Sequence, residues 1–308
     1  MKFCLSLKFE LPKGLSPAQG VKNLTEQAKA AKDAGFYMVQ CGERHATTFP
    51  VVSNFTILTH LSSFLGEMKL APLLVIPYYE PVLLAEYVAN LDVITNGRVI
   101  PIFTVGEWEN DFKAFRIPVK QRVSRFEEGL RIMKLLWSND HISFKGKRFV
   151  LDDVSINPKP VQQPMPFWIG GDSSAAMERA IVMGATAWLI SPMKNLSKAE
   201  SMLNDYRASL DNHGRNDVVE YPIRQNIHLA TNKERALKEA EPFVKKGHMG
   251  MTFDPDQLII GDAQTCIDRI KALEKLGVTS VQLRQLVDDH KQVIEWIRII
   301  KNKVIPKL

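Results

Sequence analysis

Three ionisable side chains, Glu43, Arg44 and His45, are adjacent in the stretch QCGERHATTFP. Histidine can exchange a proton near neutral pH, so this group suits general acid–base chemistry. A single histidine in a loop is often only solvated or structural. Its place just past the apolar run Tyr37–Cys41 favours the functional interpretation, because barrel enzymes build their sites at the carboxyl ends of strands.

A second candidate site is the stretch FWIGGDSSAAMERA, which joins an apolar run to two glycines, an acid and two hydroxyls before a helical pattern. If Asp172, Ser173 or Ser174 caps that helix, its first free amides and positive dipole end favour a phosphate. Arg122 and Arg125, near the start of an earlier helix, could add charge-assisted bonds. The loop could equally be a plain helix cap without a ligand, and Asp172 would repel an anion if it pointed inward.

Other candidates follow the next apolar runs. Ala71 and Pro72 enter the run LAPLLVI, where proline cannot donate to a central ladder; a bulge, a cis bond or the first strand position would each accommodate it. Gly106 would allow a flat ligand to approach the backbone. Trp108 and Tyr78 hint at an apolar substrate pocket, although aromatic residues are also ordinary core residues.

The elements that must position these residues alternate between strand and helix along the chain. The strand-like runs are Lys2–Phe9, Tyr37–Cys41, Lys69–Ile76, Val99–Val105, Phe167–Gly170, Thr186–Ile190, Ile223–Ala230 and Ser280–Leu283. The helical patterns are Val21–Ala34, Asn54–Leu65, Pro81–Ile94, Val123–Trp137, Ala175–Met183, Lys198–Leu210, Lys233–Lys246, Asp262–Leu276 and Lys291–Lys303. Eight strands each followed by a helix predict an α/β fold, the (β/α)8 TIM barrel, with a doubly wound open sheet as the alternative.

Two stretches exceed a minimal barrel and are predicted insertions. Residues 141–164 contain two β-like halves around Lys145 and Gly146, which indicates a hairpin. Residues 247–262 are rich in Gly, Met and Asp and suit either a lid or an ordinary surface excursion. Since no linker divides the 308 residues, we expect one domain over 1–308.

Composition excludes several classes of protein. The net charge of +6 is spread along the chain without a basic block, so a dedicated nucleic-acid groove is not expected. Three distant cysteines, and the lack of an H-E-x-x-H or G-x-S-x-G motif, argue against a disulfide framework, a metal site and a serine hydrolase. Without a signal peptide or an apolar run of about 18 residues, we expect a cytoplasmic protein without a membrane span.

The sequence resembles the bacterial luciferase-like flavin monooxygenase family, most clearly as far as about residue 190. The motifs that carry the resemblance are GERH (Gly42–His45), LAEYVANLDVITNGRV (Leu84–Val99), VGEWENDFKAFRIP (Val105–Pro118), RFEEGLRIMKLLW (Arg125–Trp137) and NPKPVQQPMPFWIGG (Asn157–Gly171). The family implies a (β/α)8 barrel with insertions, usually dimeric, that uses FMN or a deazaflavin coenzyme.

The resemblance implies roles for several residues. His45 ends a Glu-x-His motif near the reactive edge of the flavin, Glu43 supports it, and Ala71–Pro72 falls where related enzymes have a cis peptide against the ring. The residues that match the phosphate-gripping loop are Gly170, Gly171, Ser173 and Ser174, with Arg122 or Arg125 as the cationic partner. Glu107 and Trp108 depart from the family, which often has a second glycine there.

We therefore expect an FMN-dependent monooxygenase that uses reduced flavin, supplied by a separate reductase, and dioxygen to oxygenate a small organic substrate. A deazaflavin-dependent dehydrogenase or reductase of the same family is the alternative, since that coenzyme transfers hydride without activating oxygen. A non-catalytic flavin-binding protein is a third hypothesis. A homodimer is expected in each case.

Overall fold

The computed structural model describes residues 1–191, 194–247 and 253–308. The strands are β1 Lys2–Leu7, β2 Met38–Cys41, β3 Lys69–Val75, β4 Ile102–Thr104, β5 Ile142–Lys145, β6 Val150–Val154, β7 Trp168–Gly170, β8 Ala187–Leu189, β9 Pro222–Leu229, β10 Leu258–Gly261 and β11 Ser280–Gln285. The helices are α1 Pro17–Asp33, α2 Asn54–Ser62, α3 Pro81–Ile94, α4 Glu109–Ala114, α5 Arg122–Ser138, α6 Ser174–Val182, α7 Leu196–Asn212, α8 Lys233–Lys246, α9 Ala263–Lys275 and α10 His290–Ile299.

Nine parallel strands form one curled sheet in the order β10-β9-β11-β1-β2-β3-β4-β7-β8. A parallel bridge between Ile190 and Ile223 joins the end of β8 to β9 and closes eight of the strands into a barrel. The predicted TIM barrel is therefore confirmed, and the open doubly wound alternative is wrong. The apolar strand runs fit this result, because parallel strands are covered on both faces.

The interior of the barrel, below its mouth at the carboxyl ends of the strands, is filled with side chains. A buried cluster separate from the main core contains inward-facing residues of six strands, including Cys4, Met38, Ala71, Trp168 and Leu189. Such layers make the barrel a packed core rather than a pore, so a ligand can enter only at the carboxyl ends of the strands. The main core lies between the barrel and its helices.

Pro72 lies in the middle of β3, in register with Cys41 of β2. The expected cis bond at Ala71–Pro72 is wrong, as is the expected bulge or first strand position: the cis peptides of the described chain precede Pro158 and Pro164. Pro72 is the last β3 residue paired with β2, and Leu73 is the first paired with β4. Leu70 is already bridged to Val99, so the missing amide of Pro72 falls in a gap between two stretches of pairing with the segment that contains β4.

Both predicted insertions contain β-structure. The antiparallel hairpin of β5 and β6 lies where the Lys145–Gly146 turn predicted one. The segment 247–262 contributes β10, which the sequence did not predict and which pairs with β9; residues 248–252 of this segment lie outside the described residues. The short helix α4 was also missed.

Helix α8 borders the mouth of the barrel instead of covering its outside. Leu286 follows β11 on the same face as Arg284 and packs with Leu258 of β10 and Ala240 of α8. His228, on the same face of β9 as Arg224, lies 2.8 Å from Glu239 of α8, measured between Nε2 and Oε2. Helix α8 and strand β10 thus form one wall of the mouth.

None of the helices in the described ranges combines the length and the apolar character needed to cross a bilayer.

Candidate functional site at the barrel mouth

Glu43, just after β2, connects three neighbouring groups. Its Oε1 accepts a hydrogen bond from His45 Nε2 (3.1 Å) and another from the Tyr79 hydroxyl. Its Oε2 accepts from the backbone amide of Val75 at 2.6 Å. A buried carboxylate with this many donors is held in one orientation. The structure therefore brings together the acid and the histidine that the sequence singled out.

The ring of His45 is held on two sides. With Nε2–H directed to Glu43, the other ring nitrogen, Nδ1, is left for a proton transfer or a hydrogen bond at the mouth. The ring edges contact Phe115 at 5.0 Å and Tyr78 at 5.8 Å between centroids. About a third of the side chain, 32%, remains exposed. His45 is thus oriented and still open to a ligand.

Asp111 of α4 fixes the loop that carries His45. It is 1% exposed, and its Oδ2 accepts from the backbone amide of His45 (3.2 Å) and from Nε of Arg44 (3.3 Å). The Arg44 guanidinium also lies 3.7 Å from the centroid of the Trp108 ring. Trp108, predicted to line a substrate pocket, therefore packs against Arg44 in the loop that carries His45.

Tyr78 forms an aromatic wall with two phenylalanines. Its ring lies 4.9 Å from that of Phe112 and 5.1 Å from that of Phe115, and the residue is 8% exposed. Its hydroxyl is enclosed without a hydrogen-bond partner among the residues that the structure describes. Burial, then the charge of Asp111, raises the pKa of Tyr78, so this hydroxyl keeps its proton at neutral pH.

Ser173 is the residue that caps α6. Its hydroxyl accepts from the amide of Ala176 at 3.1 Å, which decides between the three predicted caps, and Ser174 is the first helical residue. Asp172 instead accepts from the hydroxyl of Ser191 at 2.7 Å and forms an ion pair with Lys194 at 3.1 Å. Because Lys194 balances its charge, Asp172 opposes an anion at α6 less than the sequence suggested.

The glycines of the mouth are required by close packing. Gly171 has φ +152°, and a Cβ there would lie 2.7 Å from the Cβ of Ala176. Gly106 has φ +78°, and a Cβ there would lie 2.6 Å from a methyl of Val75. A Cβ on Gly170 would meet Thr104 at 3.3 Å. The predicted role of Gly106, the approach of a flat ligand, is not needed to explain that residue.

The two candidate arginines lie in different surroundings. Arg122 donates from Nη1 to the carbonyl of Gly106 at 3.2 Å, on the loop after β4. Arg125 donates to the carbonyl of Pro77 at 3.1 Å and lies 3.6 Å from Glu80. Of the pair, Arg122 is the one beside the glycine loops of the mouth.

Charges of both signs meet near β4, β7 and β9. Burial, then the charge of Asp172, raises the pKa of Glu107, while Arg44, Arg122 and Arg224 act to lower it. Glu107 is exposed and forms no ion pair within the described part of the chain, so the three cations act on it only at long range.

The sequence reasoning did not identify Asp111, Lys194 and Arg224. Each lies within or after a different strand or helix, so no local motif marks it; only strand order brings them to one mouth.

Within the described ranges, no group of three or more His, Cys, Asp or Glu side chains could hold a metal ion.

The family model described as luciferase-like monooxygenase matches residues 1–257. The chain belongs to this family, and the match extends well past residue 190, the approximate limit of the clear sequence resemblance.

Curated relatives include proteins named as flavin-dependent monooxygenases. The chain is 29% identical over 140 residues to an FMNH2-dependent dimethylsulfone monooxygenase of Pseudomonas putida, covering 44% of this chain and 38% of that protein. It is 22% identical over 290 residues to the oxygenase component of a flavin-dependent trigonelline monooxygenase of Acinetobacter baylyi, covering 82% and 80%. The first match thus spans less than half of the relative's length.

Solved structures share the whole fold. The monooxygenase RslO1 of Streptomyces bottropensis matches with a TM-score of 0.89 and 19% identity, covering 99% of each chain. An F420-dependent secondary alcohol dehydrogenase, solved with an F420–acetone adduct, matches with a TM-score of 0.82 and 17% identity, covering 99% of this chain and 98% of that one. The fold is therefore shared with a monooxygenase and with an F420-dependent dehydrogenase.

Proposed function

We propose that this protein is an FMN-dependent monooxygenase that uses reduced flavin and dioxygen to oxygenate a small organic substrate. The observation that carries the proposal is the carboxylate of Glu43, which is bound to Val75 and Tyr79 and directs the ring of His45 at the mouth. The curated relatives with FMNH2- and flavin-dependent monooxygenase names support the choice of chemistry.

The residues of the mouth fit a flavin with an anionic tail. The Ser173 hydroxyl accepts only from Ala176, and the hydrogen bonds of the described residues leave the amides of Ser174 and Ala175 available for a phosphate. Gly170 and Gly171 keep this loop free of side chains, and Arg122 supplies a positive charge nearby. When bound, reduced FMN supplies the two electrons of the reaction, one oxygen atom entering the substrate and the other leaving as water.

The chain's own residues would perform three tasks. His45 exchanges a proton through Nδ1, because its Nε2 is bound to Glu43. Asp111 holds the His45 backbone, so the ring keeps its position during the reaction. Tyr78, Phe112 and Phe115 form an apolar wall that excludes water from the reacting groups.

A titration of the pure protein with FMN and with the deazaflavin, followed by tryptophan fluorescence, tests the proposal. FMN should bind, and its reduced complex should consume dioxygen, measured with an oxygen electrode. Binding of the deazaflavin alone, or a reduced FMN complex that does not react with dioxygen, would contradict the proposal.

The deazaflavin-dependent dehydrogenase is the second candidate, and the similarity to the F420-dependent alcohol dehydrogenase favours it. The same titration separates the two, because hydride transfer to or from a deazaflavin changes its absorbance without oxygen uptake. The Glu43–His45 arrangement would serve either reaction, since both need an oriented proton carrier. It argues against a non-catalytic flavin-binding protein.

The homodimer and the separate flavin reductase remain predictions. One face of α3 exposes Leu83, Tyr87 and Ile94, which are 42%, 45% and 60% exposed. A second copy of the chain would cover such an apolar surface. Analytical ultracentrifugation of the wild type and of Tyr87→Glu tests the dimer, and a monomeric wild type would exclude it.

A further inference from the structure

A small cavity lies between helices α1 and α10, outside the wall of the barrel. Its volume is about 20 Å³, which is enough for one occupant of the size of a water molecule. Two glutamines line it, Gln27 of α1 and Gln285, the last residue of β11. Gln285 shares the outward face of β11 with Val281 and Leu283 of the main core. This α1–α10 cavity is therefore separate from the mouth where a flavin would bind.

Both glutamines have an oxygen without a donor. Gln27 is 3% exposed and Gln285 is 6% exposed. The Oε1 atom of each is enclosed and has no hydrogen-bond partner among the described residues. Buried carbonyl oxygens are normally bound to a donor, because an unpaired one loses its hydration without compensation. The two oxygens therefore point to an occupant of the cavity.

The neighbouring hydrogen bonds determine which end of the Gln27 amide is free. Nε2 of His290 lies 2.9 Å from Oε2 of Glu26, an acceptor, so this nitrogen carries the proton of the neutral ring. Nδ1 of His290 is then an acceptor, and Nε2 of Gln27 lies 3.4 Å from it as the donor. The oxygen of Gln27 is therefore the end that lacks a partner.

The groups around the cavity suit a cation better than an anion. The charged side chains that line it include the acids Glu10 and Asp288 and the cation Lys8. Lys8 is bound to Asp288, and Glu10 forms an ion pair with Arg284 at 3.3 Å. Among the described lining residues, the enclosed atoms without a partner are both oxygens. A cation needs acceptors only, whereas a water molecule also needs donors for its own lone pairs.

We propose that the α1–α10 cavity binds a small monovalent cation, either ammonium or an alkali ion of similar size, between the Oε1 atoms of Gln27 and Gln285. Carbonyl and amide oxygens are ordinary ligands of hard cations. The bound ion links α1 to β11, and β11 pairs with β1 where the first and last parts of the chain meet. The proposal concerns a second site and does not depend on the flavin chemistry.

The first test is thermal unfolding without flavin, in ammonium, potassium or choline chloride at about 100 mM each. The wild type should melt about 2 °C higher in ammonium or potassium chloride than in choline chloride, because choline is too large for the cavity. A response to ammonium alone assigns an ion that donates hydrogen bonds, and a response to potassium assigns one held by its charge. Equal melting temperatures in the three salts would show that the cavity holds only water, and would overturn the proposal.

Two variants locate the response. Gln27→Leu and Gln285→Leu each remove one oxygen and keep a side chain of similar size, so each should abolish the difference between the salts. Gln264→Leu, which replaces an exposed glutamine of α9, is the matched control and should keep it. A difference that persists in both cavity variants would place the cation elsewhere and overturn the proposal.

A measurement on the wild type keeps the test independent of the folding of the variants. If potassium gives the response, a crystal soaked in rubidium chloride should show an anomalous-scattering peak between Gln27 and Gln285. Rubidium peaks only at other positions would contradict the proposal. None of these measurements involves flavin, so failure of the proposed function leaves their outcome unchanged.

Discussion

The two sides of the barrel mouth differ in how their polar groups are paired. On the side of β2 and β3, the carboxylates of Glu43 and Asp111 are bound to the groups that they orient. On the side of β7 and β9, Arg224 and the first amides of α6 lack partners within the described chain. The difference suggests that one side is organised in advance for proton transfer, while the other acquires its partners from a ligand.

The largest expected effect is on the organised side. His45→Ala should lower turnover of any organic substrate found by screening about 100-fold, because the oriented proton carrier is lost, and should leave FMN binding within about twofold. Steady-state kinetics and fluorescence titration measure the two quantities. His141→Ala, at an exposed histidine of the hairpin, is the control. Unchanged turnover would remove His45 from the mechanism.

Glu43→Gln, on the same side of the mouth, should lower the free energy of unfolding by about 2 kcal/mol. The amide group cannot accept from Tyr79, Val75 and His45 together, so at least one enclosed donor is left unpaired. Urea unfolding measures the change, with Glu80→Gln as an exposed control. Equal stability of the two variants would show that Glu43 does not connect these groups.

On the ligand-dependent side, Ser173→Ala should lower the free energy of unfolding by about 1 kcal/mol through loss of the cap. Ser16→Ala, which removes the same kind of cap from α1, should have a similar effect. Only Ser173→Ala should weaken FMN binding, by several-fold, because only this helix end lies at the mouth. Equal FMN affinity in the two variants would show that the phosphate does not bind at the start of α6.

The smallest effect compares two adjacent tyrosines. Tyr79→Phe should destabilise the protein by about 1 kcal/mol, since its hydroxyl is bound to Glu43. Tyr78→Phe should be neutral, because the hydroxyl it removes is enclosed without a hydrogen-bond partner among the described residues. Thermal unfolding of both variants without ligand measures the contrast. A larger loss for Tyr78→Phe would place a bound group at that hydroxyl.

The sequence alone predicted the barrel, the hairpin and the Glu43–His45 pair, because each depends on a local pattern. Apolar runs mark buried parallel strands, and residues just after a strand reach the mouth in any barrel. The sequence left three adjacent residues as possible caps for α6, and two arginines one turn apart as possible cationic partners, since each candidate fits the same pattern.

Only the tertiary structure decided which distant groups meet. Asp111 reaches His45, Lys194 balances Asp172, and Arg224 enters the mouth because strand order and register bring separate segments together. The trans bond before Pro72 and the inward position of α8 depend on pairing between strands, which single-chain periodicity does not contain. Local patterns report which face of an element is buried; long-range packing determines what lies opposite that face.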